Sequence, residues 1–212
     1  LSTTMLVLIL VTAMNTKFVD NLLLAGFAMS TFVSAITSLI ISFLSDHPYK
    51  TAAIFHWSMG GFNNSSWHKF CLSLFPITIG LSLAYKLSKK LDVYVLGENL
   101  SLALGIKPRA MKLQAICIIS LLVGTSISVA GIIPFVGLII PHISRTIFGP
   151  KHSKLIIMSI FNSISLLLLA DIFAKKIFSY REVEVGIITA LLGSPFFIWL
   201  IYKEGKNATY NR

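Results

Sequence analysis

The segment Gly131–Pro150, GIIPFVGLIIPHISRTIFGP, is as apolar as a membrane helix but contains three prolines and three glycines. In a helix interior a proline costs about 3 kcal/mol and a glycine about 1 kcal/mol relative to alanine. A bilayer tolerates such breaks only where neighbouring helices or a water-filled cavity satisfy the freed backbone groups. The second half of the segment contains Pro141, His142 and Arg145. An ionisable pair at the end of a broken membrane helix favours a transport protein over a simple anchor.

Composition supports a membrane protein. The chain has 212 residues, of which 55% are hydrophobic and 12% charged, and its mean hydropathy is +0.82. Soluble domains are about 25% charged. We therefore expect an all-α fold, a polytopic bundle of transmembrane helices forming one membrane domain over residues 1–212. The net charge of +10 does not indicate nucleic acid binding, because the basic residues occupy short loops between apolar runs.

The apolar runs predict about seven spans. A helix needs about 20 residues to cross the hydrocarbon core, so the first run and the fifth are short. The runs are 1–14, 22–45, 70–86, 111–130, 133–148, 155–174 and 185–202.

Loop charge predicts the orientation of these spans. Most basic residues fall in 15–21, 86–112, 145–154 and 203–212, which the positive-inside rule places in the cytoplasm. The opposite side carries only Lys50, Lys69, Lys175, Lys176 and Arg181. The chain is thus predicted to begin outside and end inside.

The longest inside loop, 86–112, contains a short amphipathic pattern. Gly97 and Gly105 punctuate it, and residues 98–104 are predicted to form a helix. Glu98 would lie in the first turn, where a negative charge complements the helix dipole. Leu100, Ala103 and Leu104 would form its apolar face. Such a helix either docks onto a soluble partner or lies at the interface without one, and the residues leave both open.

The main outside loop, 46–69, contains turn material at Gly60-Gly61. Its histidines have spacings that fit no metal motif and are interpreted as plain interfacial residues: His47, His56 and His68.

Two features of the later spans have competing interpretations. Asp171 could belong to a proton relay, but a local pair with Lys175 at i+4 is favoured. Gly186, Gly193 and Pro195 in the last span either permit close helix packing or line a pore, and the sequence does not separate the two.

The chain lacks the motifs of an enzyme. It has no GxxxxGK[ST] loop for ATP phosphates, no HExxH, no Ser/His/Asp constellation and no metal-ligand spacing. We expect it to bind no cofactor and no metal. If ATP drives transport, a partner subunit supplies the hydrolysis.

Four stretches carry a resemblance to a known family. They are LLLAGFAMS at 22–30, HWSMGGFNNSSW at 56–67, LGENLSLALGI at 96–106 and GIIPFVGLIIPHISRTIFGPKHSKL at 131–155, and the last continues to residue 201. The chain resembles the FecCD-type permease subunits of ABC importers for iron–siderophores, haem and cobalamin. Such permeases have ten spans, so the resemblance implies a fragment that lacks the first three.

The resemblance implies roles for individual residues. The 96–106 loop matches the coupling helices that dock into the ATPase subunit, with Gly97, Glu98, Leu104 and Gly105 as the main contacts. The cytoplasmic gate corresponds to Val19, Asp20 and Asn21. The docking patch for an extracytoplasmic binding protein corresponds to Lys175, Lys176 and Arg181. Helix breaks and packing are assigned to Pro134, Gly137, Pro141, His142, Gly193 and Pro195.

The leading hypothesis is a permease that imports a chelated iron compound, haem or cobalamin by alternating access. Its implied partners are a second permease subunit, two ATPase subunits carrying ATP and magnesium, a binding protein and the lipid bilayer. The alternatives are a proton-driven secondary transporter and a non-transporting remnant. An intramembrane protease using His142 and Asp171 is disfavoured, because the predicted topology puts these residues on opposite sides.

Overall fold

The computed structural model describes residues 18–63, 65–177 and 183–210, with side chains over 24–63, 65–176 and 183–203. Every element in these ranges is an α-helix, as predicted. The chain divides into two compact units, Leu1–Phe55 and His56–Arg212. The helices are α1 (Phe18–Phe43), α2 (Pro48–Met59), α3 (Trp67–Tyr94), α4 (Glu98–Ala103), α5 (Pro108–Ala130), α6 (Val136–Phe148), α7 (His152–Ile177) and α8 (Val185–Tyr210).

Five helices within the described ranges are long and apolar enough to cross a membrane. They contain the spans Leu24–Phe43, Trp67–Tyr94, Pro108–Ala130, His152–Lys176 and Val185–Lys203. The helices predicted for 22–45, 70–86, 111–130, 155–174 and 185–202 are confirmed. Helix α6 has 13 residues, about 20 Å at 1.5 Å per residue, which is shorter than the hydrocarbon core of about 30 Å. The predicted run 1–14 lies outside the described residues.

The helix surfaces are apolar on nearly every side. In the first unit, Leu24 and Phe27 are 70% and 71% exposed, and no residue of the α1 span is buried. Soluble proteins rarely expose contiguous apolar patches of this kind. A helix that is hydrophobic all round belongs in a protein core or a bilayer. The exposed apolar surface therefore agrees with the predicted transmembrane fold.

In the second unit, small residues bring α3 close to α5. Ser73, Gly80 and Ser88 are among the buried residues of α3. A Cβ at Gly80 would meet the Leu122 side chain of α5 at 2.6 Å. Small side chains allow such close approach in membranes, where lipid removes the hydrophobic driving force between helices. Helix α7 packs against α6, α3 and α8. Its buried cluster with α8 contains Ala170, Ala174, Val185 and Ile188.

The outside loop contains a helix that the sequence pattern did not predict. Helix α2 occupies Pro48–Met59 and has no buried residues, so no apolar stripe identified it. Proline at the first helical position is favourable because its missing N–H needs no partner there. The turn predicted at Gly60-Gly61 is confirmed, since α2 ends at Met59 and Gly60 has φ of 65°.

Candidate functional site

The predicted coupling segment forms the short helix α4. It begins at Glu98 and ends at Ala103, with Glu98 in its first turn. Gly97 and Gly105 flank the helix with φ of 128° and 77°. L-residues rarely adopt these values, so glycine is needed at both ends. The helix and its two glycine boundaries confirm the local structure predicted for 96–106.

One buried hydroxyl holds α4 in place. Ser101 has no exposed surface, and its Oγ donates to the carbonyls of Gly97 at 2.9 Å and Val93 at 3.4 Å. The Ile106 N–H donates to the Ser101 carbonyl at 2.9 Å. Sequence reasoning did not single out Ser101. The apolar side chains of the segment remain uncovered, with Leu100, Leu102 and Leu104 45%, 54% and 62% exposed.

An acid and a histidine join the end of α3 to the start of α7. Asp92 Oδ1 accepts a hydrogen bond from the His152 backbone N–H at 2.8 Å and lies 2.6 Å from His152 Nδ1. The side chains are 34% and 18% exposed respectively. A carboxylate at a helix N-terminus is favourable because it satisfies an orphan N–H and complements the dipole. We call this contact the Asp92–His152 bridge; sequence reasoning missed it because 60 residues separate the partners.

The bridge also bears on the predicted topology. It joins the loops 86–112 and 145–154, which the charge pattern assigned to the same side of the membrane. The opposite end of the second unit joins the end of α2, the 130–132 turn and the start of α8. Which end faces the cytoplasm stays a prediction from loop charge.

Four glycines form that opposite end, and we call them the glycine junction: Gly60, Gly61, Gly131 and Gly186. The Gly61 N–H donates to the Ala130 carbonyl at 2.8 Å, and the Gly186 N–H donates to the Gly60 carbonyl at 3.0 Å. The backbones approach so closely that a Cβ would overlap backbone atoms at Gly60, Gly131 and Gly186. Glycine at these positions is therefore a steric requirement.

An acid and a histidine also contact each other at the glycine junction. Glu184 is 8% exposed, and its Oε1 lies 3.2 Å from His56 Nδ1. A Cβ at Gly61 would overlap Glu184 Oε2. The sequence had suggested a plain interfacial role for His56, and it did not predict this contact with Glu184. No local pattern could reveal this pair, because 128 residues separate its members.

The predicted docking patch is only partly described. Lys175 Nζ donates to Asp171 Oδ2 at 2.6 Å, across one turn of α7. This confirms the local pair that was favoured over a proton relay. Lys175 remains 60% exposed, and Lys176 is exposed beside it. Arg181 lies outside the described residues, and the docking role itself stays a prediction.

The broken segment is interrupted at its ends, whereas its middle is helical. Residues 131–135 form the first break, which includes Pro134, and α6 then continues through Gly137 and Pro141 to Phe148. The expectation of a break at Pro141 is wrong. Pro141 lacks the N–H that would bond to the Gly137 carbonyl, and a membrane helix tolerates one such loss. A Cβ at Gly137 would meet no described atom within 4 Å, so the described part of the chain shows no packing need for glycine there.

Phe135 occupies an unusual backbone position at the first break. Its φ of 66° is the only positive value among the described non-glycine residues. Backbone strain of this kind is of order 1–3 kcal/mol and persists where the surroundings fix it. Its side chain contacts Gly193 so closely that a Cβ there would overlap it, and its ring lies 6.5 Å from that of Phe197. Gly193 therefore has the packing role that the sequence suggested as one alternative.

A small cavity lies beside this contact. Its volume is about 180 Å³, and α6, α7 and α8 enclose it with Phe135, Ile139, Leu166, Leu192 and Phe196 among the lining residues. The lining is almost wholly apolar. Pro195 lies within α8, next to Phe196.

The remaining predicted residues do not converge on one site. His142 packs its ring edge-on against Phe196, with centroids 6.5 Å apart, whereas Asp171 bonds to Lys175. The contacts give no support to a His142–Asp171 catalytic pair. The proposed gate residues Val19, Asp20 and Asn21 fall in the first turns of α1, and their side chains lie outside the described set.

The span-length apolar helices, with the glycine-bounded helix α4 and the glycine junction between them, define a multi-pass helical membrane protein. The FecCD transport family model matches residues 1–203. The chain belongs to this family, and the family and the five span-length helices place it in the cytoplasmic membrane.

Relatives and one solved structure agree with this assignment. A probable iron chelatin transport system permease protein of Helicobacter pylori is 34% identical over 183 residues, which is 86% of this chain and 55% of the relative. The vitamin B12 import system permease protein BtuC of Vibrio parahaemolyticus is 34% identical over 184 residues, 87% of this chain and 55% of that protein. One solved structure is an inward-facing ABC transporter that is assigned to the metal-chelate type. One of its chains matches this chain with a TM-score of 0.83 and 34% sequence identity, and the match covers 92% of this chain and 63% of that chain. The chain thus spans about half the length of these permease relatives.

Proposed function

We propose that this chain is part of the permease subunit of an ATP-driven ABC importer. Membership of the FecCD transport family supports the proposal, as do relatives named as permeases for iron chelatin, vitamin B12 and hemin. In the proposed mechanism, ATP-driven movement of partner subunits shifts the coupling segment, and the permease alternates between outward-open and inward-open states. The chain itself performs no hydrolysis.

The single observation that carries the proposal is the geometry of α4. It is a short helix held by the buried Ser101 and bounded by two glycines of positive φ, while Leu100, Leu102 and Leu104 stay exposed. Leu100 and Leu104 are four residues apart and so lie on the same side of this segment, and an exposed apolar surface there suits the groove of a soluble partner. Glu98, exposed at the first turn, adds a charged contact at the rim. Rim charges contribute mainly to the association rate and to orientation.

The other proposed partners follow from the same assignment. A second permease subunit completes the pathway, and a binding protein docks outside near Lys175 and Lys176. The cargo is proposed to be a chelated metal or cofactor such as a siderophore complex, haem or cobalamin. One relative, of Haemophilus influenzae, is named as a molybdate permease, so the family extends beyond iron, and specificity is assigned to the binding protein.

The experiment is co-purification of the full-length permease with its ATPase subunit from detergent. Glu98→Arg and deletion of 97–105 are each expected to reduce ATPase recovery by at least five-fold. Asn99→Ala is the matched control, because Asn99 is an exposed neighbour in the same helix. It should leave ATPase recovery unchanged.

The outcomes separate the proposed functions. Loss of the ATPase only in the two loop variants supports the ABC importer. A well-folded permease that never retains an ATPase, with uptake that collapses under an uncoupler while ATP remains, would indicate a proton-driven secondary transporter. Retention of the ATPase by both loop variants would exclude α4 as the docking element.

A further inference from the structure

The Asp92–His152 bridge lies next to the attachment point of α4. Asp92 is in the last turn of α3, and the following residue, Val93, accepts the 3.4 Å hydrogen bond from the buried Ser101. A displacement of α4 therefore acts on the turn that carries the Asp92 carboxylate. That carboxylate bonds directly to the first residue of α7.

Helix α7 continues the connection toward the broken segment. Asn162 Nδ2 of α7 donates to Ser144 Oγ of α6 at 2.9 Å, and Ser144 has no exposed surface. Helix α6 begins after the strained Phe135, which in turn contacts Gly193 of α8. A chain of named contacts thus leads from α4 through α3 and α7 to α6 and α8.

We propose that the Asp92–His152 bridge is the contact that couples movement of α4 to α7 and thereby ties ATP hydrolysis to substrate passage. The inference rests on the proposed function and deepens it. Asp92 and His152 are positioning residues in this role, because the proposal has them act through α4 and α7 and gives them no contact with the substrate. The bridge is suited to transmit displacement because two short contacts to the single oxygen Oδ1 of Asp92, at 2.8 and 2.6 Å, join the two helices beside the attachment point of α4.

A purely structural role would also use this geometry. Asp92 caps α7 by accepting the backbone N–H of residue 152, and a cap contributes to helix stability whether or not movement passes through it. The two roles involve different atoms. The cap uses the main chain of residue 152, whereas the side-chain half of the bridge uses Nδ1 of its imidazole.

Substitutions at His152 separate these roles. His152→Ala keeps the backbone N–H and hence the cap, but removes the side-chain contact. His152→Asn places an amide nitrogen near the position of Nδ1 and should restore the contact. Ser66→Ala is the matched control for loss of a cap alone, because Ser66 Oγ accepts from the Lys69 N–H at the start of α3 and this contact joins no second helix.

The assay uses the full-length permease with its ATPase subunits and binding protein in proteoliposomes. It measures ATP hydrolysed per substrate molecule imported, together with ATPase recovery and thermal stability. We expect His152→Ala to hydrolyse ATP within two-fold of wild type while uptake falls at least five-fold, so that the ATP-to-substrate ratio rises at least about 2.5-fold. His152→Asn and Ser66→Ala should keep the wild-type ratio.

Other outcomes overturn the inference. An unchanged ratio in His152→Ala refutes it. If uptake and thermal stability fall together in His152→Ala, and His152→Asn does not restore uptake, then the bridge serves only to stabilise the fold. If His152→Ala does not fold, His152→Leu, which keeps the backbone N–H and fills the space of the imidazole, decides by the same ratio. Wild-type vesicles without ATP-dependent uptake would overturn the proposed function itself, a result distinct from a failure confined to the variants.

Discussion

The glycine junction makes a sharp prediction for Gly186→Ala. A Cβ at this position would overlap the Met59 carbonyl oxygen and lie 2.9 Å from that of Ile132. Both obstacles are backbone atoms, so no side-chain rotation relieves the overlap. The 3.0 Å hydrogen bond from the Gly186 N–H to the Gly60 carbonyl would lengthen or break as the start of α8 moves away.

The size of the effect follows from these contacts. Overpacking of a tight site costs about 1–3 kcal/mol, and loss of one hydrogen bond adds about 1 kcal/mol. Replacement of a helical glycine by alanine returns up to about 1 kcal/mol. The net destabilisation is about 2 kcal/mol, equivalent to roughly a 30-fold fall in the folding constant, since 1.4 kcal/mol is tenfold.

The assay is thermal unfolding of the full-length permease in detergent, read as loss of the monodisperse peak on gel filtration. Gly137→Ala is the matched control, because Gly137 is also helical but a Cβ there meets no atom within 4 Å. It should unfold at or slightly above the wild-type temperature, whereas Gly186→Ala should unfold clearly below it. Equal stability of the two variants would refute the steric argument for the glycine junction.

Two further changes test contacts described above. Gly193→Ala places a methyl group against the Phe135 side chain and should destabilise the fold by about 1–3 kcal/mol, measured by the same unfolding assay; a stability equal to wild type would mean that Phe135 is free to move. His56→Ala leaves the Glu184 carboxylate, whose side chain is 10% exposed, without its described partner, and should destabilise by about 1–3 kcal/mol. The exposed His68 provides the control, and His68→Ala with the same loss would contradict the assignment.

Local patterns predicted the helices well. Continuous apolar runs marked the spans in α1, α3, α5, α7 and α8, because a bilayer demands about 20 such residues in succession. Glycine punctuation marked α4 for a local reason, since the backbone at Gly97 and Gly105 requires positive φ. The contact between Asp171 and Lys175, one helical turn apart, was also predictable from their i,i+4 spacing.

Contacts between distant parts of the sequence were not predictable from the same patterns. The Asp92–His152 bridge and the His56–Glu184 pair join residues 60 and 128 positions apart. Each of these residues has an ordinary local setting, and only the packing of helices brings the partners together. Helix α2 was missed for another reason: it buries no residue, so it carries no apolar periodicity.

Helix α6 shows why composition alone misplaces a kink. Breaks were expected at both Pro134 and Pro141; the interruption at residues 131–135 contains Pro134, whereas the helix continues through Pro141. The sequence could not show that the chain makes its tight approach at Gly131, where φ is 71° and a Cβ would overlap the Trp57 carbonyl.

The glycine junction also bears on how the helices of the second unit can move. Its approaches at Gly60, Gly131 and Gly186 are backbone to backbone, so no change of side-chain rotamer relieves strain at these three positions. We expect the junction to act as a pivot point about which the helices tilt as rigid bodies. A rigid tilt of about 5° about the junction would displace a helix end roughly 2.6 Å at the far side of a core about 30 Å thick. A small change of helix tilt at the glycine junction would therefore move the opposite helix ends by a few ångströms. Helix α4 and the Asp92–His152 bridge lie at that opposite end.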